Sequence, residues 1–156
     1  MEAFYLEIIP NWKNDVGRVI VDIRVTNAQD EGVVRSGHLA ANQVRAATVR
    51  AIVDTGATLL VLPEAIIQQL GLPEVRKVTS RFADGHKMER TVYGPVRLEV
   101  QGRVVNVDAL CAPPNVPALL GQIPLGGLDF LMDSKSQRLV PNPESPDPDM
   151  ALVDCY

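Results

Sequence analysis

The residues best suited to chemistry lie in one run, Ala51-Ile52-Val53-Asp54-Thr55-Gly56-Ala57-Thr58. Three apolar residues lead to an acid, and small residues follow it. A carboxyl group at a strand end can act as a general acid or base once a reacting group is brought to it. Gly56 has no Cβ, so backbone or ligand can approach closely. Thr55 carries a hydroxyl that can hold a neighbouring strand or loop. The apolar run Leu59–Leu62 begins at once, which predicts a loop buried on both sides. Asp-Thr-Gly is also an ordinary turn sequence, since Asp and Gly are turn formers. The tetrapeptide alone therefore decides nothing.

The elements that must position this run have a period of two. Val19, Val21, Ile23 and Val25 share one face of a strand, and Val49, Ala51 and Val53 lead straight into Asp54. Val96, Leu98 and Val100 alternate with Arg97 and Glu99; Gln101-Gly102 turns the chain, and Val105, Val107 and Ala109 return it. Asp84-Gly85 predicts a second hairpin between 75–82 and 86–93. Phe130–Met132 and Arg138–Val140 predict a third. Two short helices are expected, Glu64–Leu70 between Pro63 and Gly71, and Pro124–Asp129. Asp30–Asn42 has no clear period and reads as a loop or short irregular insertion. Many short strands with regular turns imply an all-β sandwich or barrel.

The chain has 156 residues, 46% hydrophobic but only 4% aromatic, so one domain with an aliphatic core is expected. Its formal charge of −4 and scattered Lys and Arg argue against nucleic acid. Cys111 and Cys155 have no metal-ligand spacing, so neither metal, cofactor nor disulfide is expected. Met1–Pro10 carries Glu2 and Glu7 and does not read as a signal peptide. No apolar run reaches the roughly 18–20 residues of a membrane helix. The expectation is a cytoplasmic protein without membrane contact. Pro141–Pro148 holds four prolines in eight residues, which excludes helix or interior strand. It opens an extended tail, residues 141–156, after a domain spanning 1–140.

Three features together resemble the retropepsin-like aspartic peptidases, the retroviral-type family with single-domain bacterial members. They are the strand into Asp54-Thr55-Gly56-Ala57, the later Ala118-Leu119-Leu120-Gly121 before Gln122-Ile123-Pro124-Leu125, and the hairpin Arg81–Met88 between them. The resemblance covers roughly Arg18 to Val140. It implies a closed acid-protease-like β-barrel with one or two short helices, forming half of a two-fold symmetric dimer. It implies that Asp54 is the catalytic acid and that Thr55 holds two active-site loops together. Gly56 would lie along the substrate backbone, Ala57 would support the active-site loop, and Gly121 would pack beneath it. Ala83, Asp84 and Gly85 would form a flap tip closing on the peptide. Retroviral members often carry an acid and an Arg where this chain has Thr58 and Gln122.

Such chemistry needs two carboxyls sharing a proton, and this chain has a single Asp-Thr-Gly. A homodimer cleaving a peptide or protein substrate is therefore expected. One rival is a silent dimeric peptide-binding module of the same fold. Another is the D-x-G-x-T phosphate loop, which here lacks its second acidic-Gly partner and two-domain length. His38 and His86 read as solvated, and Trp12 and Tyr93 as packing groups.

Overall fold

The computed structural model describes residues 18–155. The expectations for Met1–Pro10 and Trp12 lie outside that range.

Among the described residues nine strands follow in chain order: β1 Ile20–Asn27, β2 Ala46–Val53, β3 Leu60–Leu62, β4 Glu74–Arg81, β5 Lys87–Val100, β6 Arg103–Cys111, β7 Ala118–Leu120, β8 Phe130–Asp133 and β9 Arg138–Pro141. Six of them close a barrel in the order β1-β2-β7-β3-β6-β5 and back to β1. Closure removes every free edge except where β5 runs on to pair with β4. β2 pairs parallel with β7, and β3 parallel with β6; the remaining barrel pairs are antiparallel. β8 and β9 form a separate ribbon.

The alternation in the sequence sets which face is inward. Val19, Val21, Ile23 and Val25 are all buried, as are Val96, Leu98 and Val100. With Leu60, Leu62, Ile66, Leu70, Leu120 and Leu128 they form one aliphatic core. A core built from branched side chains suits pleated surfaces, where they pack against cross-strand neighbours. The two strands expected at 86–93 and 96–100 are a single 14-residue strand, β5. Its pairing with β6 shifts register between Tyr93 and Val96, and there β1 replaces β4 as its other neighbour.

The helices correct the sequence reading. Among the described residues there are three α-helices, α1 Ala28–Arg35, α2 Glu64–Leu70 and α3 Gln122–Leu128, with a 3-10 turn at Ala41–Gln43. The segment expected to be a loop, Asp30–Asn42, therefore includes most of α1. Its apolar face is weak, so periodicity did not show it. Its ends are well marked: Asn27 caps it by accepting from the Asp30 N–H at 3.1 Å. Acids sit in its first turn and Arg35 in its last, as the helix dipole favours. Asn27 also donates to the Leu70 carbonyl at 2.8 Å, tying α1 to α2. Helix α3 begins two residues before the expected Pro124. Among the described residues no helix is long and apolar enough to cross a membrane.

The proline-rich tail is pinned to the barrel. Arg103, only 5% exposed, donates to the carbonyls of Leu128, Asp129, Pro148 and Met150. Asp129 in turn accepts from Asn142 Nδ2 at 2.9 Å and from the Leu152 N–H at 2.8 Å.

Candidate active site

β2 ends at Val53, and Asp54 begins the loop to β3. β7 passes between these two strands, pairing with both. That arrangement pins the loop from within: the Asp54 N–H donates to the Leu120 carbonyl at 3.0 Å. The Ala57 N–H closes a turn onto the Asp54 carbonyl at 3.1 Å. The Gly56 N–H donates to Asp54 Oδ1 at 2.9 Å, which orients the carboxylate. Oδ2 has no hydrogen-bond partner among the described residues. A Cβ on Gly56 would stand 3.2 Å from Asp54 Oδ1, so glycine keeps that side of the acid open.

A second set of contacts supports the loop from below. Gly121 is buried, and a Cβ there would stand 2.7 Å from the Ala57 carbonyl oxygen and closer still to that of Leu59. The first N–H groups of α3 have no partner within the helix, and they take loop carbonyls instead. The Gln122 N–H donates to Ala57 and the Ile123 N–H to Thr58, both at 2.9 Å. The Gln122 side chain adds a bond from Nε2 to the Thr55 carbonyl.

The loop is not buried on both sides, as the flanking apolar runs implied. Asp54 is half-buried, whereas Thr55, Gly56 and Thr58 are exposed. The apolar residues before and after it face the barrel core, while the loop itself projects from the barrel end.

β4 and β5 form the expected hairpin above this loop. At its tip the Gly85 N–H donates to Phe82 at 2.9 Å, with Gly85 at φ +90°. The Asp84 carboxylate accepts from the backbone and ring of His86, which holds it below the ordinary carboxylate range. The His86 ring stacks on Phe82 with centroids 4.4 Å apart. Between hairpin and loop lies a cleft of about 640 Å³. Gly56, Ala57 and Thr58 form part of its floor, Val78 and Phe82 its roof, and Pro113 and Val116 a side wall. Asp54 itself does not line this cleft; it sits behind Gly56. Ala83, Asp84 and Gly85 are exposed at the hairpin tip and do not line it either.

A barrel with an Asp-Thr-Gly loop hung between β7 and α3 under a hairpin is the arrangement the sequence resemblance implied. The aspartyl protease family model matches residues 38–123, more than half of the chain. The chain belongs to the aspartyl protease family. Among curated proteins none matches it.

The matched span runs from just past α1 to the start of α3. It thus contains the Asp54 loop, the hairpin and Gly121. Sequence reasoning missed two parts of the site. Gln122 was noted only as a departure, yet it bonds across to the loop. Neither Arg76 nor Arg90 was among the candidate residues, yet both line the cleft. No local pattern marks them; the pairing of β4 with β5 puts them on one face. Among the described residues no group of His, Cys, Asp and Glu is arranged to hold a metal ion.

Proposed function

We propose that this member of the aspartyl protease family is an endopeptidase whose active centre is completed by a second copy of the chain, each contributing Asp54. The observation that carries this reading is Asp54 itself. Its carboxylate is oriented through one oxygen by the Gly56 N–H, on an exposed loop, in a chain with a single Asp-Thr-Gly. Two such loops meeting on a two-fold axis would bring the carboxyls together. The exposed Thr55 hydroxyls would then bond across the axis.

Two carboxyls a few ångströms apart do not both ionise at moderate pH, so the pair holds one proton. The ionised group takes a proton from a water molecule, and the water oxygen adds to the peptide carbonyl carbon. The protonated group donates to the carbonyl oxygen, giving a neutral tetrahedral diol. Proton transfer to the nitrogen then lets the C–N bond break, leaving an acid and an amine. The peptide would lie extended in the cleft, under the β4–β5 hairpin.

The test compares the wild type with Asp54→Asn on a mixed peptide library from about pH 3 to 7, the range in which a shared-proton pair is singly protonated. Cleavage by the wild type alone, with a rate per chain that rises with protein concentration, is expected. A stable dimer that cleaves nothing would favour the silent peptide-binding module.

A further inference from the structure

The cleft has a charge asymmetry that the barrel does not need. Residues 76, 78 and 80 alternate onto the cleft face of β4, and all three line it. Val78 is paired with Arg90 across the hairpin, so Arg90 shares that face. The two arginines therefore stand on the roof around Val78. On the opposite face one cation is matched, with Lys77 Nζ 3.2 Å from Glu89, while Arg81 is registered against Lys87 near the hairpin tip. On the cleft face neither arginine is matched. Among the described residues no carboxylate pairs with Arg76 or Arg90, and none lines the cleft. A third arginine, Arg81, stands at the same rim.

Folding does not account for this. Two like charges on one hairpin face repel, and Arg76 is exposed with no hydrogen bond among the described residues. Arg90 has one structural contact, from Nη2 to the Cys111 carbonyl at the end of β6. That contact fixes the guanidinium in a half-buried position and leaves its other N–H groups free to donate. A chain of net charge −4 thus keeps unpaired cations around this cleft. The remaining walls, Val61, Leu110, Leu119 and Ile123, are apolar.

We propose that this cleft selects peptides with a carboxylate side chain close to the scissile bond, read by Arg76 and Arg90, and with apolar side chains beside it. The inference rests on the peptidase reading above and names its substrate class. Guanidinium and carboxylate form charge-assisted, often bidentate hydrogen bonds. Such a pair counts for more in a cleft closed over by substrate than on open surface.

The test uses octapeptides with a central apolar pair and Glu, Gln or Lys placed in turn at each neighbouring position. Cleavage is read as kcat/KM for wild type, Arg76→Gln and Arg76→Glu. At the best position the wild type is expected to favour Glu over Gln by about tenfold, the worth of one good charge-assisted contact. Arg76→Gln should shrink that ratio to about threefold or less, and Arg76→Glu should turn the preference towards Lys. The ratio is the readout because a folding defect lowers both rates and leaves it unchanged. Equal wild-type rates on Glu and Gln peptides would overturn the inference and leave the peptidase reading intact. If nothing is cleaved, the same peptides are titrated against the wild type by fluorescence polarisation. Tighter binding of Glu peptides would then sink the peptidase reading and keep the selectivity. Equal binding, or none, would sink both.

Discussion

The side-chain amide of Gln122 donates to the carbonyl oxygen of Thr55 at 2.5 Å. It joins the first turn of α3 to the centre of the Asp54 loop, across 67 residues of chain. Together with the backbone bonds from Gln122 and Ile123, it hangs the loop from the helix start at three carbonyls, those of Thr55, Ala57 and Thr58.

Gln122→Ala removes one of those supports and leaves the two backbone bonds. Gln122 is exposed in the single chain, so little packing is lost. A net hydrogen bond contributes about 1 kcal/mol, and tenfold in rate corresponds to about 1.4 kcal/mol. The expected result is a five- to tenfold fall in kcat (order of magnitude) with a smaller change in KM, since the loop positions the reacting acid. Steady-state kinetics on any cleaved peptide check it. A change confined to KM would mean that the bond serves substrate binding alone.

Gly121→Ala should be far more damaging than Gly56→Ala. At Gly121 the new Cβ meets two backbone carbonyl oxygens of the active-site loop, neither of which can swing away. Overpacking of this kind costs about 1–3 kcal/mol or more. At Gly56 the new Cβ meets only the Asp54 carboxylate, at 3.2 Å. Urea denaturation should therefore show a clear loss for Gly121→Ala and a small one for Gly56→Ala, whose loss should instead be in activity.

The pattern of what was legible follows from the physics of each element. β1, β2 and the second half of β5 face a core on one side, so alternation of Val, Ile and Leu marks them plainly. The Asp54 loop was legible because its residue types are constrained one by one. Helix α1 was not, because its mean hydropathy is low and its definition comes from Asn27, a residue of the preceding strand. The exposure of Thr55 and Thr58 was misread because flanking apolar runs report on their own burial, not on that of a loop between them. Arg76 and Arg90 were invisible until strand pairing placed them on one face. The barrel closure depends on β1 meeting β5, a contact between residues about 70 apart that no local pattern encodes.

Asp30 and Arg45 form a bidentate pair, with Nε and Nη2 each 2.9 Å from a carboxylate oxygen. The Arg45 hydrogen bonds hold Asp30 below its usual value of 3.8. A depressed carboxylate stabilises the fold above its unfolded-state pKa, and that contribution is lost as pH falls through the folded value. Asp30→Asn should therefore cost about 1–2 kcal/mol near pH 7, discounted because Arg45 is half exposed. The gap between variant and wild type should narrow as the pH is lowered below about 4. Urea midpoints at pH 7, 5 and 3 check it; a gap that widens in acid would contradict the assignment.

The last expectation concerns the tail. Arg103 is 5% exposed, its guanidinium lies 4.9 Å from the centre of the Phe130 ring, and its Nη2 acceptors are the carbonyls of Pro148 and Met150. Its Nε already lacks a partner among the described residues. A chain ending at Glu144 would take away both Nη2 acceptors and the Leu152 N–H that bonds Asp129. Nη1 keeps the Leu128 and Asp129 carbonyls, so the loss is that of two acceptors at Nη2, about 1–3 kcal/mol, and the truncated protein should unfold at lower urea. Arg103→Met in the full chain should also destabilise, because the tail loses its anchor. Combining the two changes should cost less than their sum, since the truncation then strands no donor. Additive losses would mean that the tail and Arg103 act independently. An unchanged midpoint on truncation would mean that the tail is not part of the fold.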